Sequence, residues 1–342
     1  MVASTESQRP DDGRWSDKLL PLLGITLVTG GLILLGWFAY LWFTPGEAPY
    51  QYQLIKEGKA KQFPELELEH WPDLAISKYE IRTAGIDKPL AQAYFGRRDQ
   101  GHPVMINWSN HTAEALIGLD RKPSELTTLA EVIGKHTTPE SVILAWWDTS
   151  RQIQLLTGRN TLFKTPLYEP LIVPSLWQEN PKAILSYEQQ MITEKASETE
   201  REQFKQFSEA LLLPPEEGVK RLRALIKPEQ EVLLVVHVTD LYKIGLMYPE
   251  KFGVAYKNFP MTGNIHGMIN HMKVQLKEHG YTTYTPQSIT DNDIRVFFLT
   301  DEKSTETLLA HMLPFTGRTP PTELKVAQLV YQQGGYWVYK LP

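Results

Sequence analysis

The sequence predicts an α/β protein: a mixed sheet with two related βα units and a C-terminal hairpin, carried on one N-terminal transmembrane helix. Three observations carry that expectation. Residues 19–43 contain no charged side chain and place Trp37, Tyr40, Trp42 and Phe43 at their distal end. Such a run is long enough for a bilayer core of about 30 Å, which takes about 20 residues, and the aromatics suit an interfacial belt. Residues 142–153 (VILAWWDTSRQI) match residues 233–244 (LLVVHVTDLYKI) as apolar strand, polar turn with an Asp, then a cation within three residues. One supersecondary solution used twice accounts for both. Residues 324–331 and 336–341, joined through Gln332-Gln-Gly-Gly335, read as a closing β-hairpin.

Residues 1–18 are polar and without periodicity, which predicts a disordered cytoplasmic tail. A cleavable signal peptide is the competing reading of 19–43. It calls for a small-residue cleavage site, where this chain has Trp-Phe-Ala-Tyr-Leu-Trp-Phe. Arg9, Arg14 and Lys18 precede the span and Lys56, Lys59 and Lys61 follow it; the nearer cluster is N-terminal. That favours the N-terminus inside and an exported C-terminal domain, in a bacterium a single-pass inner-membrane protein with a periplasmic domain. Residues 44–65 read as a linker, with Pro and Gly breakers at 44–49 and a short helix or stalk over 51–62. The α/β domain is expected over 66–342, with 66–180 and 181–342 as possible subdomains.

Within it, strand-like runs cover 75–82, 90–95 and 104–108, helices are expected over 112–119 and 125–135, and the strand 142–145 follows. Three prolines make 162–174 an extended loop. Residues 187–213, rich in Glu, Gln and Lys, read as one long solvated helix stopped by Pro214-Pro215, with 218–226 as another. The second strand spans 231–240, and 241–247 leads away from it as a helix. A helix over 263–280, a strand over 294–299 and a helix over 305–312 precede the hairpin.

Composition excludes several chemistries. The chain has 342 residues, no cysteine, and a formal charge of −5. There can be no disulfide, thiolate site or covalently attached c-type haem, and nothing favours a nucleic-acid partner. His266 and His271 lie five apart, off the i, i+4 spacing of two ligands on one helix face, and H-E-x-x-H is absent. His237 lies in an apolar strand run, and His271 and His279 share a solvated helix face with Lys273 and Lys277. There is no G-x-S-x-G, G-x-G-x-x-G or P-loop pattern. Asp291 and Asp293 lack the Gly and Glu of a calcium loop. Asn107-Trp-Ser and Asn110-His-Thr match the N-glycosylation pattern, which matters only in a eukaryotic secretory protein. No catalytic, metal or cofactor residue is assigned, and no cofactor is expected.

What remains is the end of the strand 142–145. Ligands and partners gather at the carboxyl ends of strands in α/β sheets. Trp146, Trp147, Asp148, Arg151, Tyr168 and Trp177 are the candidate partner-binding residues, because aromatics and arginine concentrate in interface cores. Asp148 is equally an N-cap candidate, or the partner of Arg151, and the indoles are equally candidates for core packing.

The passage ILAWWDTSRQIQLLTGRNTLFKT resembles the W-W-D motif of oligosaccharyltransferase catalytic subunits: Trp146, Trp147 and Asp148 match, while Thr149 and Ser150 replace Tyr-Gly. That resemblance implies a fold and a glycan- or peptide-binding ancestry. It implies no transferase activity, since those enzymes need a many-spanning membrane part. Over nearly its whole length the chain is similar to the hydroxylamine oxidation protein family HaoB, in its N-terminal anchor, its length and its Trp-Trp-Asp-Thr-Ser-Arg passage. This resemblance implies an accessory role beside the multihaem hydroxylamine oxidoreductase and supplies no catalytic residues. Two functions therefore compete: a non-catalytic exported scaffold holding a redox enzyme at the membrane, and an exported enzyme or binding domain that uses Asp148.

Overall fold

The computed structural model describes residues 13–43, 46–192, 194–261 and 265–342. The chain divides into two units, Met1–Glu47 and Ala48–Pro342. In the first, helix α1 (Gly13–Phe43) contains an apolar stretch, Pro21–Tyr40, long enough to cross a membrane and with none of it buried. Residues 1–12 of the expected tail lie outside the described residues. Residues 13–18 do not follow that expectation and form the start of α1.

The second unit holds three sheets. The first is antiparallel, in the order β1 (Gln51–Lys59), β2 (Ala75–Arg82), β3 (Ala91–Arg97), β4 (Val104–Asn110). The helix or stalk expected over 51–62 is thus corrected to an edge strand, paired from Gln51↔Arg82 to Lys59↔Ala75 with a bulge between Leu54 and Lys56. Seven of its nine residues are exposed, so no alternation of apolar side chains marked it. Lysines and a bulge on an edge are also how proteins discourage edge-to-edge pairing. The segment 112–119 is a loop where a helix was expected. Asn110 pins it, its Nδ2 donating to the Gly118 carbonyl at 2.9 Å and its Oδ1 accepting from Leu116 N at 3.1 Å.

Helix α2 (Pro123–His136) leads to the central mixed sheet. There β5 (Val142–Ala145), followed by α3 (Trp147–Thr157), pairs in parallel with β6 (Asn160–Thr161). Three helices, α4 (Pro181–Met191), α5 (Glu198–Ala210) and α6 (Pro215–Arg223), then precede β7 (Val232–His237) and α7 (Asp240–Met247). Strand β7 pairs in parallel with β5, from Val142↔Val232 to Ala145↔Val235. The two related βα units therefore lie side by side. Both strands are buried throughout, as parallel strands covered on two faces are. Alternation sends Val142, Leu144, Leu234 and Val236 to one face against Phe204, Phe207 and Leu222. Ile143, Ala145, Leu233 and Val235 face the other way, against Leu129, Ile133 and Ile153 of α2 and α3.

The long helix expected over 187–213 is two helices. Ser197 starts the second, its hydroxyl accepting from Glu200 N at 3.1 Å, and Phe204 and Phe207 are buried where a solvated face was read. Residue 193 lies outside the described residues.

Strands β8 (Val254–Pro260), β9 (Thr283–Ser288) and β10 (Asp293–Leu299) form the third sheet, in the order β8-β10-β9, with helix α8 (Ile265–Glu278) between β8 and β9 in the chain. Only β10 was read from sequence; β9 carries Pro286, which an edge strand tolerates. Of the helix expected over 263–280, residues 263 and 264 lie outside the described residues. Thr307 splits the helix expected over 305–312 into α9 (Glu302–Thr305) and α10 (Leu308–His311), its hydroxyl accepting from Ala310 N. The hairpin β11 (Gln328–Gln333) and β12 (Tyr336–Lys340) closes the central sheet, with β12 antiparallel to β7.

Gly335 sits where the hairpin turn passes the end of β7. Its N–H donates to Glu125 Oε2 at 3.1 Å and its carbonyl accepts from Val238 N at 3.0 Å. A Cβ there would lie 2.4 Å from Nε2 of the buried His237. Gly335→Ala is therefore expected to cost about 1–3 kcal/mol, seen as a lowered calorimetric melting temperature. An unchanged melting temperature would show that this turn has room to spare.

Candidate functional site

Parallel pairing of β5 and β7 brings the starts of α3 and α7 together, and so brings Asp148 to Lys243. Lys243 Nζ donates to both Asp148 oxygens, at 3.1 and 3.0 Å. Arg121, just before α2, donates to Asp148 Oδ2 at 3.3 Å, and to Thr149 Oγ1 and the Tyr336 hydroxyl at 3.2 Å each. Asp240, the equivalent of Asp148 in the second unit, pairs with Lys243 at 3.1 Å and accepts from His237 N at 2.9 Å. Burial alone would raise the Asp148 carboxyl, but the Lys243 ammonium and Arg121 guanidinium outweigh it and hold the group well below the usual carboxylate range.

Two expectations for Asp148 are thereby corrected. It is not the N-cap: Trp146 holds that position without a side-chain bond, and Asp148 reaches only the adjacent N–H of Thr149, at 2.6 Å. Nor does it pair with Arg151, which points away to Glu194 and to the carbonyls of Lys164 and Pro103.

The remaining candidates separate by burial. Trp146 is 1% exposed and packs edge-on against Phe204 at 5.1 Å, with Lys243 Nζ 5.2 Å over its ring. Trp147 is half-buried, and both indole N–H groups donate to the Glu169 carbonyl, at 3.3 Å from Trp146 and 2.7 Å from Trp147. That carbonyl lies in the extended loop expected over 162–174, at a cis Glu169–Pro170 bond. Tyr168, 8% exposed, donates to the carbonyl of Glu188 at 3.1 Å. Arg151 is 4% exposed.

Trp146, Trp147, Asp148, Arg151 and Tyr168 all line one cavity of about 100 Å³. Trp177 does not; its ring stacks on Tyr50 at 5.6 Å in a separate cluster. Sequence reasoning passed over Arg121, Lys243, Trp108, Gln152 and Glu188, which also line the cavity. For Lys243 the signal was present, since it follows Asp240 by three residues as Arg151 follows Asp148. Arg121 and Glu188 arrive through tertiary packing, which no local pattern marks. His237 is a core residue, its Nδ1 2.7 Å from Thr239 Oγ1 and its Nε2 3.5 Å from Glu125; burial pushes its pKa down.

A family model described as HaoA-associated protein HaoB matches residues 16–341. No curated protein matches the chain. Among solved structures, one described as the crystal structure of the C. jejuni PglB C-terminal domain is similar, with 11% identity, 63% of this chain and 99% of that chain covered, and a TM-score of 0.36.

The wall of the cavity carries one titration of its own. Burial pushes the Glu188 carboxyl from 4.5 up to about 7, although the Tyr50 and Tyr52 hydroxyls that donate to it favour its charged form. A raised folded pKa stabilises fully below pH 4.5, and that contribution is lost as pH rises through about 7. Against Glu188→Gln, the native chain should lose roughly 3 kcal/mol of relative stability over that interval, measured by denaturant unfolding at several pH values. A pH-independent difference would contradict the assignment.

Proposed function

The chain belongs to the family of HaoA-associated proteins HaoB, and from that premise we propose a membrane-anchored accessory protein of hydroxylamine oxidation. It binds the multihaem hydroxylamine oxidoreductase and tethers it at the periplasmic face of the inner membrane. The observation that carries this reading is the extent of the family match, residues 16–341, which takes in the apolar helix as well as the folded unit. Arg14 and Lys18 ahead of the span support the outward orientation of residues 48–342.

Burial supports a division of labour among the aromatics. Trp146, Arg151 and Tyr168 are too enclosed to touch another protein. The short turn Ser175–Trp177 is open: Leu176 is 83% exposed beside the half-buried Trp177, and Glu114 holds the turn by accepting from Ser175 N and Oγ. A rigid turn with an exposed apolar side chain loses little entropy on docking, and we place the partner contact there. A catalytic role for Asp148 has less support, because a carboxylate held ionised by two cations is a poor proton acceptor near neutral pH.

The test is affinity isolation of the full chain from gently solubilised native membranes. Hydroxylamine oxidoreductase activity should accompany the native chain and fall at least tenfold with Leu176→Asp at equal bait recovery. Activity that elutes without the native chain would remove the partner; equal recovery with Leu176→Asp would remove this surface.

A further inference from the structure

Two residues in the wall of the cavity each carry a buried polar atom with no partner among the described residues. The indole N–H of Trp108 and the Oε1 of Gln152 are shielded from solvent and accept or donate no hydrogen bond, on side chains 5% and 3% exposed. Both residues line the cavity that Asp148 borders. The Gln152 amide is fixed, since its Nε2 donates to the Met105 carbonyl at 2.9 Å and leaves Oε1 as the free acceptor. Buried polar groups almost always find a partner, so one unmet donor and one unmet acceptor in one cavity wall call for an occupant.

The other lining groups define that occupant. Every cation of the lining is already matched: Arg121 and Lys243 by Asp148, Arg151 by Glu194, and Lys122 by Asp291 at 3.3 Å. Asp148 is matched in turn, and Glu188 takes two tyrosine hydroxyls. An anionic guest would find no free cation among the described residues, and the exposed Glu169 is the one lining carboxylate with neither an ion pair nor a hydrogen bond to its side chain there. Much of the remaining wall is apolar, with Ile106, Leu119, Trp146, Ile172 and Ile192 buried along it. A dry apolar cavity of about 150 Å³ holds a benzene ring, and this one, about 100 Å³, takes a ring of that size when the half-buried Trp147 indole beside it gives way.

We propose that this cavity is a binding site for a small neutral amphiphile of single-ring size, one that accepts from Trp108 Nε1 and donates to Gln152 Oε1. The site is independent of the accessory role: it needs no partner protein and shares no residue with the exposed turn at Leu176. A phenol has the required chemistry in its smallest form, an apolar ring with a hydroxyl that both donates and accepts.

The experiment uses the full chain in lipid nanodiscs, titrated with phenol and with benzene by calorimetry, empty nanodiscs serving as the blank for partition into lipid. Phenol should bind saturably and about ten- to hundredfold tighter than benzene, since benzene leaves both buried groups unmet. Trp108→Phe keeps the ring and removes the donor, and Gln152→Met removes the acceptor at similar volume. Each should erase most of the preference for phenol while the melting temperature reports that the fold is kept. Equal affinity for phenol and benzene, no saturable binding of either, or unchanged phenol binding in both variants would overturn the proposal, and would assign the two polar groups to ordered water alone.

Discussion

The Asp148 carboxylate, shared between Lys243 and Arg121, is the constraint on which the functional end of this fold depends. Parallel pairing of β5 with β7 forces two helix starts into the same enclosed space, and each brings charge. Stripping water from an unmatched charge costs several kcal/mol, so the fold holds only if the charges meet one another. They do: Asp148 takes both cations, Asp240 takes Lys243 from its other side, and Arg121 reaches Tyr336 on the closing hairpin. One carboxylate thereby joins the first βα unit, the second, and the segment ahead of α2. The cation it holds also lies over the Trp146 ring, which ties the charge cluster to the aromatic core beneath.

The central sheet was legible because its strands declare themselves. Runs such as Val232–His237 are apolar throughout, and the match between the two passages foretold that both units would serve one sheet. The peripheral sheets were less legible for a physical reason: β1 exposes most of its side chains and β9 carries a proline, so neither shows the alternation that marks a half-buried strand. The loop 112–119 was misread because the half-buried Asn110, not backbone periodicity, decides its shape. At the site, the sequence offered Asp148 as a helix cap or as the partner of Arg151, and the fold gives it Lys243 and Arg121 instead. Arg151 is three residues away and Lys243 ninety-five, and only sheet topology makes the distant one the neighbour.

Tryptophan serves three ends in this chain. Trp146 is core, Trp147 stands half-buried at the cavity wall with its N–H satisfied by the Glu169 carbonyl, and Trp177 braces an exposed turn against Tyr50. Read as sequence, these residues formed one candidate surface; in the fold they separate into the wall of a cavity and an exposed turn. The Asp148 carboxylate at the end of β5 holds the units together.

The most direct measurement is a double-mutant cycle on the full chain, combining Asp148→Asn with Lys243→Met and reading stability by denaturant unfolding. Breaking a fully buried pair by removing one partner costs about 3–5 kcal/mol; with the Asp148 side chain 24% exposed and Lys243 still held by Asp240, Asp148→Asn alone should cost about 1–3 kcal/mol and the coupling between the two positions should exceed about 1 kcal/mol. A near-neutral Asp148→Asn with additive effects would contradict the account, because Asn replaces Asp without loss only where the carboxylate merely caps a helix.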